Sequence, residues 1–100
     1  MPDSSAPKIQ PVTVLHNAAQ QRFECRVGQH LCVADYRLAD GVMALTHTEV
    51  HPSLQGRGIA AALIAAALDH ARAQGLKIDP QCSYAATYMQ RHPQTHSLRI

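Results

Sequence analysis

The sequence predicts an α+β fold, a mixed and mostly antiparallel sheet carrying two helices. Three features predict it. Apolar and polar residues alternate through the first half of the chain, the two-residue period of half-buried strands. An alanine- and leucine-rich stretch from Gly58 to Gln74 then changes to helical spacing. A short apolar segment and a second helical segment follow it. At 100 residues, one domain can bury its core without a metal or disulfide.

Residues 1–10, with Pro2, Ser4, Ser5 and Pro7, read as a flexible N-terminal segment. The domain proper is assigned to 11–96, and 97–100 to a C-terminal tail. Val12, Val14 and His16 open a first strand, and a turn near Asn17 to Gln20 leads into a second, where Phe23, Cys25 and Val27 alternate with Glu24 and Arg26. Gly28-Gln29 is a tight turn before Leu31, Val33 and Tyr36. Ala39-Asp40-Gly41 is a hairpin signal leading into Val42 to Val50. Pro52 follows this fourth strand, since proline cannot donate to a ladder.

In the helix from Gly58, the residues Ile59, Leu63 and Ala67, flanked by Ala60, Ile64, Leu68 and Ala71, form one broad apolar stripe. Gly75 closes it. Lys77 to Cys82 reads as a strand interrupted or ended by Pro80. Ser83 is the expected cap of a second helix that runs from Tyr84 to about Arg91. A strand, helix, strand unit of this kind places the fifth strand parallel to the fourth.

Composition excludes several classes. Hydrophobic residues at 46% and charged residues at 16% predict a folded chain. The formal charge is only +2 and the arginines are scattered, so no patch for nucleic acid is predicted. Three cysteines without a C-x-x-C pair suggest reduced thiols and a cytoplasmic protein. The stretch Ile59 to Leu68 is too short to span a bilayer. No metal site is predicted: His47 and His51 lie roughly 13 Å apart on a strand, and His92 and His96 lack a cysteine pair.

The most specific segment is Gln55-Gly56-Arg57-Gly58-Ile59-Ala60, between a strand and the first turn of a long helix. The first N–H groups of a helix have no partners within it and lie at the positive end of its dipole, so they can receive phosphate oxygens. Glycine lets the backbone approach the anion, and Arg57 adds a charge. A P-loop would need Lys and Ser or Thr where Ile59 and Ala60 stand.

Gln55, Gly58 and Ala60 stand at Q/R-x-x-G-x-G/A spacing. With His47-Thr48-Glu49-Val50-His51-Pro52 before them, and Pro80-Gln81-Cys82-Ser83-Tyr84 and His92-Pro93 after, the chain resembles the small single-domain class of GNAT N-acetyltransferases. The resemblance covers about residues 10–96. It implies a minimal GNAT-like fold, acetyl-CoA as co-substrate, no metal, and transfer to an amine acceptor, either a small molecule or a protein lysine. In such proteins the fourth and fifth strands part around the pantetheine arm. Carried over, the Val50 backbone pairs with pantetheine, and Gln55, Gly56, Arg57, Gly58, Ile59 and Ala60 hold the diphosphate. Tyr84 lies beside the coenzyme, where it or Tyr88, one helical turn on, protonates the CoA thiolate or packs on the sheet.

The acetyl group is then expected near His47 and Cys82. Larger relatives use a glutamate base on the fourth strand; a gap-free count back from Gln55 puts Ala44 there. His47 is the replacement base, or a half-exposed strand histidine. Glu49, roughly 6–7 Å along the same strand face if no bulge intervenes, orients His47, acts as base itself, or is a solvated carboxylate. Cys82 lines the acetyl pocket, donates a proton or accepts acetyl, or is an inert core thiol. Two further functions stay open: a non-catalytic CoA-binding or acyl-sensing module, and a small interaction domain whose glycine turn is architecture.

Overall fold

Alternation builds the sheet. In the computed structural model, which describes residues 12–100, β1 (Leu15–Asn17), β2 (Arg22–Val27), β3 (His30–Ala39), β4 (Val42–Glu49) and β5 (Lys77–Pro80) form one five-stranded sheet in that order. β1 to β4 pair antiparallel, and β5 joins β4 in parallel. The β3–β4 hairpin turns on Asp40 and Gly41, both at positive φ, 52° and 76°, which a two-residue hairpin of this twist requires.

Phe23, Cys25, Cys32, Ala34, Tyr36, Met43, Leu45 and Ile78 point to one face and are buried. Two helices cover that face. α1 (Ile59–Gln74) lies over β2 and β3, and α2 (Ser83–Arg91) lies over β4 and β5, with the helices touching each other. The α1 stripe of Ile59, Leu63, Ile64, Ala67, Leu68 and Ala71 is buried throughout, and each large side chain in it contributes about 1.5–3 kcal/mol. The opposite sheet face, with Arg26, Arg37, His47 and Glu49 exposed, carries no helix among the described residues.

Three expectations change, and the one that Pro80 interrupts or ends the fifth strand resolves to its end. Val12 and Val14 precede β1 instead of belonging to it; the ladder starts at Leu15↔Glu24, and both valines pack against the core as coil. β5 ends at Pro80, because beyond it the N–H groups of Gln81 and Cys82 both donate to the Leu45 carbonyl, at 3.0 and 2.9 Å, and the chain leaves the sheet. Ser83 is the first residue of α2, and the cap is Cys82, whose extended backbone sets its Sγ to accept from the Ala85 N–H at 3.4 Å. Residues 97–100 are tied to the domain: Leu98 is buried in a 3₁₀ turn over Pro93–Leu98, Arg99 bridges to Ile78, and the Ile100 N–H donates to the Ile78 carbonyl. The expected flexible segment 1–10 lies outside the described residues.

The far edge of the sheet is pinned by rings. His16 of β1 stacks on Phe23 with centroids 4.3 Å apart, meets His70 of α1 edge-on at 4.4 Å, and hydrogen-bonds the Tyr36 hydroxyl. Burial and the neighbouring His70 hold the His16 imidazole below its ordinary pKa.

Candidate functional site

The site forms where β4 outruns its partner. The β4–β5 ladder ends at Leu45↔Pro80, whereas β4 continues to Glu49. Past Leu45 the β5 side of β4 therefore has no ladder partner among the described residues. A gap opens there between a free strand edge and the start of α2, and buried Val50 stands at its end.

A β-bulge decides which side chains look into this gap. Asp35 pairs with His47 and Tyr36 with Leu45, so Thr46 is an extra residue in β4. One inserted residue exchanges the faces of everything after it. Met43 and Leu45 lie on the helix-covered face, and beyond the bulge Thr48 and Val50 take over that face. His47 and Glu49 project to the uncovered one.

After β4, a single 3₁₀ turn over Pro52–Leu54 anchors buried Leu54, and the His51 imidazole accepts the Ser53 N–H at 3.1 Å. Gln55, Gly56 and Arg57 are exposed. Gly56 and Gly58 both have positive φ, 83° and 79°, a conformation open to glycine at little cost. Gly58 is the N-cap of α1, so no side chain closes the helix, and its first turn holds no acidic residue. The first backbone bond of the helix runs from the Ala62 N–H to the Gly58 carbonyl. The preceding N–H groups and the positive end of the dipole face a small depression bounded by Val50, Leu54, Gln55, Ile59 and Tyr84.

Cys82 sits across the gap. It is half-buried, with Sγ 3.3 Å from the Thr48 hydroxyl and 3.4 Å from the Ala85 N–H. The other two free thiols, Cys25 and Cys32, are core residues, and burial pushes the Cys25 thiol up and away from reactivity. On the uncovered face, His47 Nε2 lies 3.2 Å from Glu49 Oε1, and both side chains are largely exposed.

A family description, GCN5-related N-acetyl-transferase, matches residues 22–98. The chain belongs to the GCN5-related N-acetyltransferase family. It is similar to protein NATD1 of Mus musculus, 32% identical over 96 residues that cover 92% of this chain and 86% of the mouse protein. Protein NATD1 of Gallus gallus is 33% identical over 87 residues, 83% of this chain and 78% of that protein. The solution NMR structure of a GCN5-like N-acetyltransferase from Staphylococcus aureus superposes with a TM-score of 0.70, at 24% identity over 88% of this chain and 87% of the other. That likeness is one of fold.

Within this GCN5-related chain the candidate residues form two groups. Val50, Gln55, Gly56, Gly58, Ile59, Ala60 and Tyr84 gather around one depression, with exposed Arg57 in the same turn. Glu49 does share a face with His47, because the bulge precedes both. Cys82, however, meets Thr48, whose side chain points away from His47 to the other side of the strand. Thr48 carries no role of its own in the motif that contains it. One signal for it exists: Leu45 and Val50 are both apolar at an odd separation, and both can be buried on one face only if the strand gains a residue between them. No group of three potential metal ligands occurs among the described residues.

Proposed function

We propose that this protein transfers the acetyl group of acetyl-CoA to an amine. The observation that carries the reading is the uncapped, glycine-started N-terminus of α1 beside the unpaired edge of β4. The coenzyme's diphosphate takes the free N–H groups from Gly58 onward, with Arg57 adding charge. Its pantetheine arm pairs with the backbone of β4 toward Val50, as an added strand would. The thioester then lies beside the paired Thr48 hydroxyl and Cys82 thiol.

The face exchange gives the two groups separate tasks. An amine approaching from the uncovered face loses a proton to His47, whose imidazole Glu49 orients. The neutral nitrogen attacks the thioester carbonyl carbon, so an N–C bond forms as the C–S bond breaks, and the nitrogen sheds its second proton to solvent. The departing thiolate takes a proton from the Cys82 thiol on the covered side, which is replenished from solvent. The acceptor is a small-molecule amine or a protein lysine reaching the open face. The free thiols fit a reducing, cytoplasmic setting.

Ala44 favours a second reading. It occupies the position where the resemblance puts the family glutamate, so acetyl-CoA would bind without being consumed, as in an acyl-sensing module. Calorimetric titration with acetyl-CoA, paired with thiol-release assays on a panel of amines, separates these readings. Binding near micromolar, about −8 kcal/mol, with amine-dependent CoA release supports transfer. Binding without release supports the sensing module, and no binding removes both.

A further inference from the structure

Beside the bulge, on the uncovered face of the sheet, lies a cavity of about 480 Å³. Arg22, Asp35, Arg37 and Thr46 line it from β2, β3 and β4, and Gln20 and Gln21 line it from the β1–β2 turn. Its walls are polar and charged. Ala34 and Tyr36 turn into the core, so Asp35 and Arg37 project to the same face as His47. The register sets Asp35 opposite both Arg22 and His47, and side chains at such cross-strand positions have Cβ atoms about 4.5–5.5 Å apart. Arg22 is already engaged, its Nε donating to Glu24 Oε2 at 2.7 Å. Asp35 and Arg37 belong to no ion pair among the described residues. The cavity thus offers one carboxylate and one guanidinium, two positions apart on β3, roughly 6–7 Å.

We propose that this cavity is the acceptor site and that the acceptor is a free amino acid, its ammonium group held between Asp35 and His47 and its carboxylate held by Arg37. The proposal rests on the acetyl-transfer reading and names the substrate class for it. A zwitterion needs a partner of each sign, and the two charges of β3 supply both. A guanidinium matches a carboxylate through paired N–H donors, and because Glu24 already neutralises Arg22, that carboxylate is directed to Arg37. Asp35 draws the ammonium form into the cavity. His47, opposite it, takes the first of the two protons the nitrogen loses. The product is the N-acetyl amino acid, with CoA as the leaving group. A lysine within a protein carries no carboxylate near its amine and leaves the Arg37 charge unused.

The test measures acetyl-CoA-dependent thiol release by the whole chain with free amino acids, with their carboxamides, and with a blocked peptide carrying an internal lysine. For at least one amino acid, kcat/KM should exceed that of its amide by about tenfold, as a charge-assisted hydrogen bond predicts. Arg37→Gln brings that ratio to about one, chiefly through KM, whereas Asp35→Asn lowers kcat/KM for acid and amide alike. Thermal melts and calorimetry with acetyl-CoA check that both variants fold and bind the donor; if either fails, the acid-to-amide ratio of the wild type still decides. Amides used as well as the free acids overturn carboxylate recognition, and a lysine peptide used in their place overturns the substrate class; both outcomes leave acetyl transfer intact. A tenfold ratio that persists in Arg37→Gln overturns the assignment to Arg37, and full activity in Asp35→Asn overturns that to Asp35. Acetyl-CoA binding without release by any of these amines overturns the transfer reading itself, and this proposal with it.

Discussion

The two helices begin in opposite ways. α2 is closed by its own chain, with the Cys82 sulfur accepting the Ala85 N–H, whereas α1 starts from a left-handed glycine that has nothing to cap it. A glycine at the N-cap forgoes only about a few tenths of a kcal/mol relative to a capping side chain. α1 tolerates this because sixteen residues bury a continuous apolar stripe on the sheet. The nine-residue α2 has fewer anchors, chiefly Ala85 and Met89. The long helix can leave its end open for an anion; the short one uses its end for stability.

The contrast can be broken at several points. Leu63→Ala should have the largest effect, because Leu63 is fully buried in the stripe; a loss of about 2–5 kcal/mol in urea denaturation is expected. If the loss were below 1 kcal/mol, the stripe would not be what secures α1. Next is Ala61→Glu, at an exposed position in the first turn. A carboxylate there favours the helix dipole yet repels a diphosphate, so acetyl-CoA affinity should fall by at least about tenfold with no drop in melting temperature. Lower stability with intact binding would contradict the assignment of this end to the ligand.

At α2, Cys82→Ala should cost about 1 kcal/mol through loss of the cap, and Cys82→Ser should restore it, since a hydroxyl is the better capping group. If the serine variant keeps wild-type stability but loses acetyl transfer, the sulfur has a chemical task beyond capping. The smallest effect is the pH response of the ring cluster. Because the folded state holds the His16 pKa down, its contribution to stability is complete above the ordinary histidine pKa of 6.5 and is lost as pH falls through the lower folded value. Melting temperatures between pH 7.5 and 5 should therefore decline, and His16→Phe should flatten that decline. An unchanged slope would mean that other groups set it.

Much of this architecture is legible in the letters. The Asp40-Gly41 turn, the alanine-rich helix and the Gly56-Arg57-Gly58 start each follow from local chemistry that a few neighbouring residues determine. The rest depends on pairings between distant segments. Whether β5 continues past Pro80 is decided by the Leu45 carbonyl, which receives two N–H groups from a segment more than thirty residues away. The cavity beside the bulge likewise exists only when the β1–β2 turn lies against β3 and β4. The expectation that His47 and Cys82 share one pocket assumed an unbroken strand between Leu45 and Val50, and the extra residue at Thr46 removes that assumption.

That extra residue also sets how relatives of this chain can be compared. Sliding the fourth strand by a single place, as a gap put on the wrong side of Thr46 would do, swaps the side chains assigned to proton removal with those assigned to the acyl group. Ala44 lies before the bulge and His47 after it, so counting back from Gln55 without a gap compares positions whose orientation has changed in between. A relative without the insertion would need its proton acceptor at a different spacing from the glycine turn to reach the same side, and two sequences that look misaligned by one residue could perform identical chemistry.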